Sequence, residues 1–332
     1  MADYKGVLVF CETADSKLAS IATELLGAGI KLAKELGEGL SAVLVGSGVS
    51  GLAPEAIAFG AEKVYVIDDP LLKDYQTDSY VAVMDKVVKQ VMPQIVLLGQ
   101  TSIGRDLAPR LAFRLGTAAT LDCVALAIDA ASKRLLQTKP VYGGNAQATY
   151  ICESNPQVAT ARAKAMSPLE RDASRKGEVV TVPAGLDASA IRTRLVERKV
   201  EAVAGIKLED ARVIVCGGRG IGGIDGFKQL EELARALKGA VGATRPPCDN
   251  GWVPDSVQIG LTGKIVSPDV YIAVALSGSS QHLSGCSGSR TIVAINKDAE
   301  ANIFKVAQYG VVGDWKKVLP AFTAKVKQLV SG

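Results

Sequence analysis

The sequence predicts an α/β protein of two domains, each built on a mostly parallel sheet. Three observations predict this fold class. The chain has 332 residues, more than one typical domain. Strand and helix patterns alternate in both halves, as in βαβ units with right-handed crossovers. Most predicted strands are apolar throughout, as in a sheet covered on both faces. We expect a first domain over residues 1–200 and a second over 205–332, joined beyond the polar stretch SPLERDASRKGE (167–178).

The first domain begins with clear strand–helix units. Apolar runs predict strands at 5–12 and 40–46, separated by a helix, and APEAIAFGAEKVYVIDD (53–69) predicts a short helix followed by a strand. DSYVAVMDKVVKQVMPQIVLLGQ (78–100) repeats the unit, and GRDLAPRLAFRLG (104–116) is a further helix. From Ala119 onward the segments LDCVALAID, RLLQTKPVY, AQATYICE and VATARA indicate successive strands with short turns. These strands can extend the sheet in antiparallel fashion. The first domain is therefore a doubly wound, mostly parallel sheet with extra strands.

The second domain repeats the alternation with a glycine-rich first loop. RVIVC (212–216) is a strand, GGRGIGGIDG (217–226) a loop and FKQLEELARALKG (227–239) a helix. One face of that helix carries its apolar residues, namely Phe227, Leu230, Leu233, Ala234 and Leu237. Further strands are predicted in GAVGATR, SPDVYIAVALS, RTIVAIN and YGVVGD, and an amphipathic helix closes the chain from Trp315.

Composition excludes several functional classes. The net charge of +4 comes from interspersed signs without a basic block, so nothing indicates nucleic-acid binding. No apolar run reaches the roughly 20 residues of a membrane span. The six cysteines lack the clustered spacing of a zinc site and are predicted to be reduced thiols. From the residues at its start we expect the chain to begin directly in a strand without a leader. We expect a cytoplasmic, bacterial-type protein; a mitochondrial matrix protein without its transit peptide would show the same features.

The glycine loop resembles a dinucleotide fingerprint. Gly218, Gly220 and Gly223 give G-x-G-x-x-G after a strand and before a helix, where backbone N–H groups suit a phosphate. An NAD site needs an acidic residue at the end of the second strand, but Arg245 stands there. An arginine can instead bind the 2′-phosphate of NADP. Two interpretations of the loop therefore remain, an NADP site and a glycine-rich turn that binds no ligand. Arg219 favours the ligand because it places a cation in the loop.

Polar residues follow the strands of the second domain where those strands end. The strand VYIAVAL runs into SGSSQH (277–282), which contains the only histidine of the chain, His282. Its serine hydroxyls and closely approachable backbone suit a pyrophosphate. Asn296, Asp298 and Asp314 follow later strands, and Thr262 lies in the loop LTGK before a strand. Because carboxyl ends of parallel strands share one edge, the groups that follow strands predict a ligand site there, whereas LTGK alone is typical of a turn.

Catalytic machinery is absent from the sequence patterns. There is no nucleophile elbow, no phosphate-binding GxxxxGK[ST] loop and no paired carboxylate motif, and one histidine offers little acid–base capacity. We therefore assign no catalytic residue and no metal ligand. A bound cofactor would have to carry the chemistry.

Several of these segments together resemble the electron transfer flavoprotein alpha subunit. The resemblance is carried by VYIAVALSGSSQHLSG, TIVAINKD and ANIFKVAQYGVVGD, and upstream by VIVCGGRG and AVGATRPPCDNGWVPDSVQIGLTGKIVSPD. It is fainter at GRDLAPRLAFRLG and KPVYGGN. It implies a flavodoxin- or Rossmann-like C-terminal domain that binds FAD, and an N-terminal domain that packs on a beta subunit in a heterodimer.

The resemblance also implies an electron-transport function. Such proteins take electrons from flavin dehydrogenases, typically the acyl-CoA dehydrogenases of fatty acid β-oxidation, and deliver them singly to a membrane quinone oxidoreductase or another acceptor. Some relatives bifurcate electrons from NADH, and the beta subunit holds a second FAD or AMP. Two alternatives stay open: an NADP-dependent reductase, based on the glycine loop and Arg245, and an adenine-nucleotide-binding module in the N-terminal sheet.

Matching positions carry the cofactor contacts onto this sequence. Thr262 would reach the N5 side of the flavin and His282 the C2 carbonyl, while Arg245 lies near the ring. An arginine and a hydrogen-bond donor there stabilise the negative charge of the half-reduced ring, by about 1.4 kcal/mol per factor of ten. The implied FAD contacts are Arg219, then Thr244 and Arg245 at the flavin, the flavin-edge loop Ile259, Gly260, Leu261 and Thr262, the pyrophosphate and ring segment Ser277, Gly278, Ser279, Ser280, Gln281 and His282, and Asn296, Asp314 and Trp315 toward the adenosine half.

Several positions depart from the family's usual pattern. Thr244 replaces a commoner serine, Leu261 a frequent glutamine, and Ala275 the usual glycine. Ser279-Ser280 replaces a more apolar pair, and PPCDNGW stands where AAVDAGY is typical. These departures are compatible with FAD binding but bear on the redox potential and the class of partner.

Overall fold

The chain divides into two compact units. The computed structural model describes residues 3–144, 146–193, 195–197 and 206–330. Unit 1 comprises Met1–Val141 and Gln147–Arg198, and unit 2 comprises Tyr142–Ala146 and Lys199–Gly332. The residues around the expected domain boundary, 198–205, lie outside the described residues. Within the described ranges, no helix is long and apolar enough to cross a membrane.

Unit 1 alternates strands and helices before a run of strands, as predicted. Its helices are α1 (Ser20–Leu36), α2 (Ala53–Ala58), α3 (Thr77–Val91) and α4 (Ser102–Leu115). Its strands are β1 (Val7–Phe10), β2 (Thr13–Ala14), β3 (Lys17–Leu18), β4 (Leu40–Gly46), β5 (Lys63–Asp68), β6 (Ile95–Gly99), β7 (Ala119–Cys123), β8 (Ala125–Ile128), β9 (Leu135–Val141), β10 (Ala146–Ile151), β11 (Gln157–Ala161) and β12 (Glu178–Thr181).

Seven of these strands form the main sheet of unit 1, in the order β12-β5-β4-β1-β6-β11-β7. Its pairings are parallel, for example β1 with β4 and with β6. All four residues of β1 are buried, and they alternate between two cores, Val7 and Val9 on one face and Leu8 and Phe10 on the other. A strand buried on both faces has to be apolar throughout, which is why its sequence shows no alternation.

The strands after Ala119 differ from the expected antiparallel extension. β7 and β11 join the main sheet in parallel, while β8, β9 and β10 form a separate three-stranded sheet. Strand β7 is irregular at Asp122, which has a positive φ of 66° beside a register shift between Ala159 and Ala161, and the chain leaves the main sheet after Cys123. The Asp122 carboxylate is bound by Arg162 at 2.7 Å, which fixes this bend. Sequence periodicity identified the strands but not this change of sheet.

Unit 2 is a five-stranded parallel sheet in the order β14-β13-β15-β16-β17. Chain order reverses between β13 and β15, so the carboxyl ends of these two strands border the crevice where open α/β sheets bind ligands. The predicted α/β class is confirmed here. Its elements are β13 (Val213–Gly217), α5 (Ile224–Ala236), β14 (Ala240–Ala243), α6 (Arg245–Asp249), β15 (Val270–Val274), α7 (Ser280–Cys286), β16 (Thr291–Asn296), β17 (Tyr309–Val312) and α8 (Trp315–Val330).

The two faces of this sheet bury different elements. On one face α5 and α8 pack together, and Phe227, Leu230 and Leu233 of α5 are buried as their spacing predicted. On the other face Tyr271 of β15 packs with Cys286 of α7. Helix α7 was not predicted, because SQHLSGC contains glycine and serines that favour turns over helix.

Candidate cofactor pocket in unit 2

The glycine loop after β13 packs against the end of β15. A Cβ on Gly218 would stand 2.5 Å from the Cα of Leu276, and one on Gly220 would stand 2.9 Å from the Ala275 carbonyl oxygen. The glycines are therefore required by close backbone packing between the two strand ends. Arg219 between them is exposed and has no carboxylate partner among the residues that the structure describes. The loop thus presents a free cation at the edge of the crevice.

The segment after β15 turns sharply into α7. Ala275 adopts a left-handed conformation with a φ of 52°, which a residue with a Cβ enters at a cost of roughly 1–2 kcal/mol. The family's usual glycine at this position has no such cost. Beyond the turn, Ser277, Ser279 and Ser280 are exposed while Gly278 is buried. The hydroxyls of this segment thus face outward at the carboxyl edge, as expected for contacts to a ligand.

A cavity of about 370 Å³ lies beside this segment in unit 2. Its size falls within the usual range for small-molecule sites. It has apolar walls, several hydroxyl and amide groups, and one cation, which fits a planar ring with a polar edge. The lining residues are Thr244, Arg245, Pro246, Asp249, Gln258, Ile259, Gly260, Leu261, Thr262, Ser279, Gln281 and His282. Nine of the sixteen predicted contacts are therefore brought together here.

Two pocket residues that the sequence analysis did not identify, Asp249 and Gln258, form hydrogen bonds with predicted site residues. Asp249 accepts from Nε of Arg245 at 3.2 Å, an i,i+4 pair on the short helix α6. Gln258 donates from Nε2 to the Thr262 hydroxyl at 3.0 Å. The Arg245–Asp249 spacing is visible in the sequence and could have shown the first pair. The second joins two ends of an irregular loop, and no periodic pattern indicates it.

His282 is buried, with 4% of its surface exposed, and its ring is bonded on both sides. Nδ1 lies 3.0 Å from the carbonyl oxygen of Ile259, and Nε2 lies 2.9 Å from the hydroxyl of Tyr271. Burial lowers the pKa of the imidazole to about 4, so it is neutral at pH 7. This differs from the expected role of His282 as a direct hydrogen-bond donor to a ligand, because both nitrogens are already engaged within the chain.

The three residues expected at the adenosine half are placed along the same edge but outside the cavity. Asn296 donates to the Leu276 carbonyl at 2.8 Å and thereby holds the end of β15. Asp314 accepts from the N–H of Lys316 and begins α8. Trp315 is buried, and its indole N–H donates to the Gly220 carbonyl at 3.0 Å. The Trp315 ring therefore supports the glycine loop from the core and is not exposed for stacking on a ligand.

The corresponding edge of unit 1 carries an acidic group. Glu12 follows β1, and its buried carboxyl accepts from the hydroxyl of Thr101, which follows β6, at 2.7 Å. Burial raises the pKa of Glu12 to about 7. A carboxyl at this point disfavours a phosphate, so the geometry offers no support for the adenine-nucleotide-binding alternative in this unit.

Comparison with known protein families identifies both units. A family model described as "Electron transfer flavoprotein domain" matches residues 7–187. A second, described as "Electron transfer flavoprotein FAD-binding domain", matches residues 207–287, which contain the glycine loop, Arg245 and the cavity wall. The NADP-dependent reductase alternative is not supported, since the same loop and arginine belong to an FAD-binding family.

Full-length relatives carry the same description. The chain is 47% identical over 330 residues to an electron transfer flavoprotein subunit alpha of Thermoanaerobacterium thermosaccharolyticum, covering 99% of this chain and all of the relative. It is 45% identical to the protein of that name from Megasphaera elsdenii, over 99% and 98% of the two chains. It is also 37% identical to the acryloyl-CoA reductase electron transfer subunit beta of Anaerotignum propionicum, over 98% and 96%.

Proposed function

The chain belongs to the electron transfer flavoprotein alpha-subunit family, and on that premise we propose that the cavity of unit 2 holds the flavin ring of FAD. The remainder of the cofactor would follow the carboxyl edge of the sheet past Ser277–Ser280 toward Arg219. The observation that carries this proposal is the composition of the cavity lining, where the Arg245 guanidinium and the Thr262 hydroxyl face the same cavity as apolar side chains. Bound FAD would supply the capacity to take up and release electrons singly.

The hydroxyl of Thr262 is suited to donate to the ring edge. Its oxygen accepts a hydrogen bond from the Gln258 amide, so the hydroxyl hydrogen is left to point into the cavity. The neighbouring Leu261 is about half exposed and offers an apolar surface where relatives often have a glutamine. The chain thus replaces one polar contact of the loop by a hydrophobic one. We expect Thr262 to orient the ring and Leu261 to exclude water from that side.

Arg245 would stabilise negative charge that the cofactor acquires on reduction. Its guanidinium lies at the cavity, and its Nε donates to the Asp249 carboxylate at 3.2 Å. The negative charge of this carboxylate cancels part of the positive potential of the guanidinium. The pair therefore stabilises a negative charge on the cofactor less than an unpaired arginine would. The pair therefore gives a moderate stabilisation of the reduced cofactor rather than a strong one.

The partners follow from the family and from the names of the relatives. We propose that the chain pairs with a beta subunit, that unit 1 provides the packing surface, and that the beta subunit holds a second FAD or AMP. An acyl-CoA dehydrogenase-type flavoprotein would supply the electrons, and a quinone oxidoreductase or similar protein would receive them. One relative is named as an electron transfer subunit of acryloyl-CoA reductase, which supports an acyl-CoA-linked partner. Bacterial relatives and free cysteines support a cytoplasmic location.

The test is the flavin content and spectrum of the assembled pair. We expect co-expression with the beta subunit to give a yellow complex that releases FAD on denaturation. Stepwise reduction by an acyl-CoA and its dehydrogenase should pass through an absorption band between those of the oxidised and fully reduced forms. Reduction by NADH in a parallel sample would show that NADH is a donor, which bifurcation from NADH requires. A colourless complex without flavin would refute the proposal.

A further inference from the structure

A chain of buried hydrogen bonds lies behind the cavity wall. Tyr271 is completely buried on β15, and its hydroxyl is 2.9 Å from Nε2 of His282. Cys216 on β13 and Cys286 on α7 are buried in the same core cluster as this phenol. On the far side of the ring, Nδ1 reaches the carbonyl oxygen of Ile259. The series therefore connects strand β15, helix α7 and the loop that lines the cavity.

The chemistry of the end groups fixes the direction of these bonds. A backbone carbonyl only accepts, so Nδ1 of His282 must carry a proton to bond with Ile259. A neutral imidazole with its proton on Nδ1 has only a lone pair on Nε2, so the Tyr271 hydroxyl must donate to it. No other arrangement of a neutral ring satisfies both nitrogens.

Burial keeps the whole series uncharged. It raises the pKa of Tyr271 well above its ordinary value and that of Cys286 to about 12, while it lowers that of His282 to about 4. At neutral pH the thiols, the phenol and the imidazole are therefore all neutral. The donor directions above thus apply at pH 7.

The same region fastens the cavity loop to α7. The N–H of Leu261 donates to the Gln281 carbonyl at 2.8 Å, next to the Nδ1–H bond from His282 to Ile259. Gly285 of α7 also approaches the backbone of Gly260, with its imagined Cβ 2.5 Å from that Cα. The position of Thr262 in the cavity depends on these attachments. Of these attachments, only the hydrogen bond from His282 involves a side chain that is itself bound by a residue outside the loop and α7, namely Tyr271.

We propose that Tyr271 is a positioning residue for the flavin site: its hydroxyl holds His282 in the form protonated on Nδ1, and His282 in turn fixes the loop Ile259–Thr262 against α7. The expected effect on FAD binding rests on the proposed function. The hydrogen bonds of His282 with Tyr271 and Ile259 do not depend on it. Tyr271 lies in the core, and it acts on the cavity only through the imidazole.

The single histidine makes the test direct. The full chain labelled with 15N-histidine, assembled with an unlabelled beta subunit, should give ring signals from His282 alone. At pH 7 we expect the attached proton on Nδ1 and a hydrogen-bonded lone pair on Nε2. In Tyr271→Phe the Nε2 resonance should move to the value of a lone pair without a donor. FAD affinity should fall about tenfold, as expected for loss of one buried hydrogen bond that fixes the site.

The control is Tyr309→Phe, since Tyr309 is an exposed tyrosine on β17 of the same unit. It should change neither the His282 resonances nor FAD affinity. A proton found on Nε2 in the unaltered chain would overturn the proposal, even if Tyr271→Phe fails to fold. Unchanged Nε2 resonances in Tyr271→Phe would overturn it equally. The same spectra of the flavin-free full chain test the hydrogen bonds separately, so a failure of flavin binding would refute the proposed function and not this geometry.

Discussion

Replacing Gly285 by alanine should separate α7 from the loop that lines the cavity. The new Cβ would stand 2.5 Å from the Cα of Gly260 and closer still to its nitrogen, where ordinary contacts begin near 3.4 Å. Both partners are backbone, so no side chain can rotate away. The helix or the loop must move by roughly 1 Å, and such overpacking typically costs about 1–3 kcal/mol. Alanine is the better helix former by about 1 kcal/mol, which offsets part of the cost. We expect a net loss of up to about 2 kcal/mol in the stability of unit 2.

The assay follows from the position of the tryptophans. The chain has two, Trp252 and Trp315, and both belong to unit 2. Tryptophan fluorescence during urea unfolding of the flavin-free chain therefore reports on this unit. FAD titration of the complex with beta measures the second effect, which we expect to be at least a tenfold loss of affinity because the two walls of the cavity move apart.

A matched control has the same substitution without the clash. Gly51 has no atom within 4 Å of an imagined Cβ and lies in unit 1. Gly51→Ala should leave the tryptophan transition and FAD affinity unchanged. If Gly285→Ala has the same unfolding midpoint and FAD affinity as the unaltered chain, then α7 and the loop do not form the cavity as described.

Four further predictions concern charge, strain and pH. Arg245→Ala should reduce the intermediate absorption band during stepwise reduction of the complex, since the positive charge at the cavity is lost; an unchanged band would place the guanidinium away from the cofactor. Ala275→Gly should stabilise unit 2 by roughly 1 kcal/mol in urea unfolding, because it relieves a left-handed alanine, and a loss of stability would contradict that strain. His282 has a pKa of about 4 in the fold against an ordinary value of 6.5, so the unfolded chain binds more protons between these values. Unit 2 should therefore lose stability as the pH falls from 6.5 to 4, by up to about 3 kcal/mol, and His282→Asn should abolish this slope in the tryptophan signal. The pKa values of Glu12 and Glu24 are raised to about 7, so their contribution to unit 1 has the opposite sign and is lost as the pH rises from 4.5 to 7, which hydrogen exchange of unit 1 amides would detect.

The sequence predicted the sheets well because burial on both faces leaves a strong signal. Uniformly apolar strands such as β1 and β15 can only be central and parallel, and the helical spacing of Phe227, Leu230 and Leu233 follows from one buried face. The same logic predicted that polar residues at strand ends would meet at one edge. Of the polar residues in these segments, Ser279, Gln281 and His282 line the cavity, while Asn296 and Asp314 lie outside it.

The contacts that the sequence could not show are those that depend on a single nonlocal bond. Trp315 comes directly after a strand-end polar residue, yet its indole turns into the core to reach Gly220, 95 positions earlier. Gln258 orients Thr262 across an irregular loop. No period or propensity encodes such contacts, since each depends on where two distant backbones come to lie.

His282 shows how the same limit affects chemistry. From the sequence, a lone imidazole at a strand end is a donor available to a ligand. In the fold, the Nδ1–H group donates a hydrogen bond to the Ile259 carbonyl, and Nε2 accepts one from the Tyr271 hydroxyl. The ring therefore has no further N–H group to donate to a ligand. Tyr271 itself looks like an ordinary apolar strand residue in VYIAV, because its hydroxyl matters only through the helix that packs on it. A histidine with both nitrogens engaged can influence a cofactor only by holding the loop that touches it, so the potential of the flavin should respond to Tyr271→Phe and His282→Asn in the same direction.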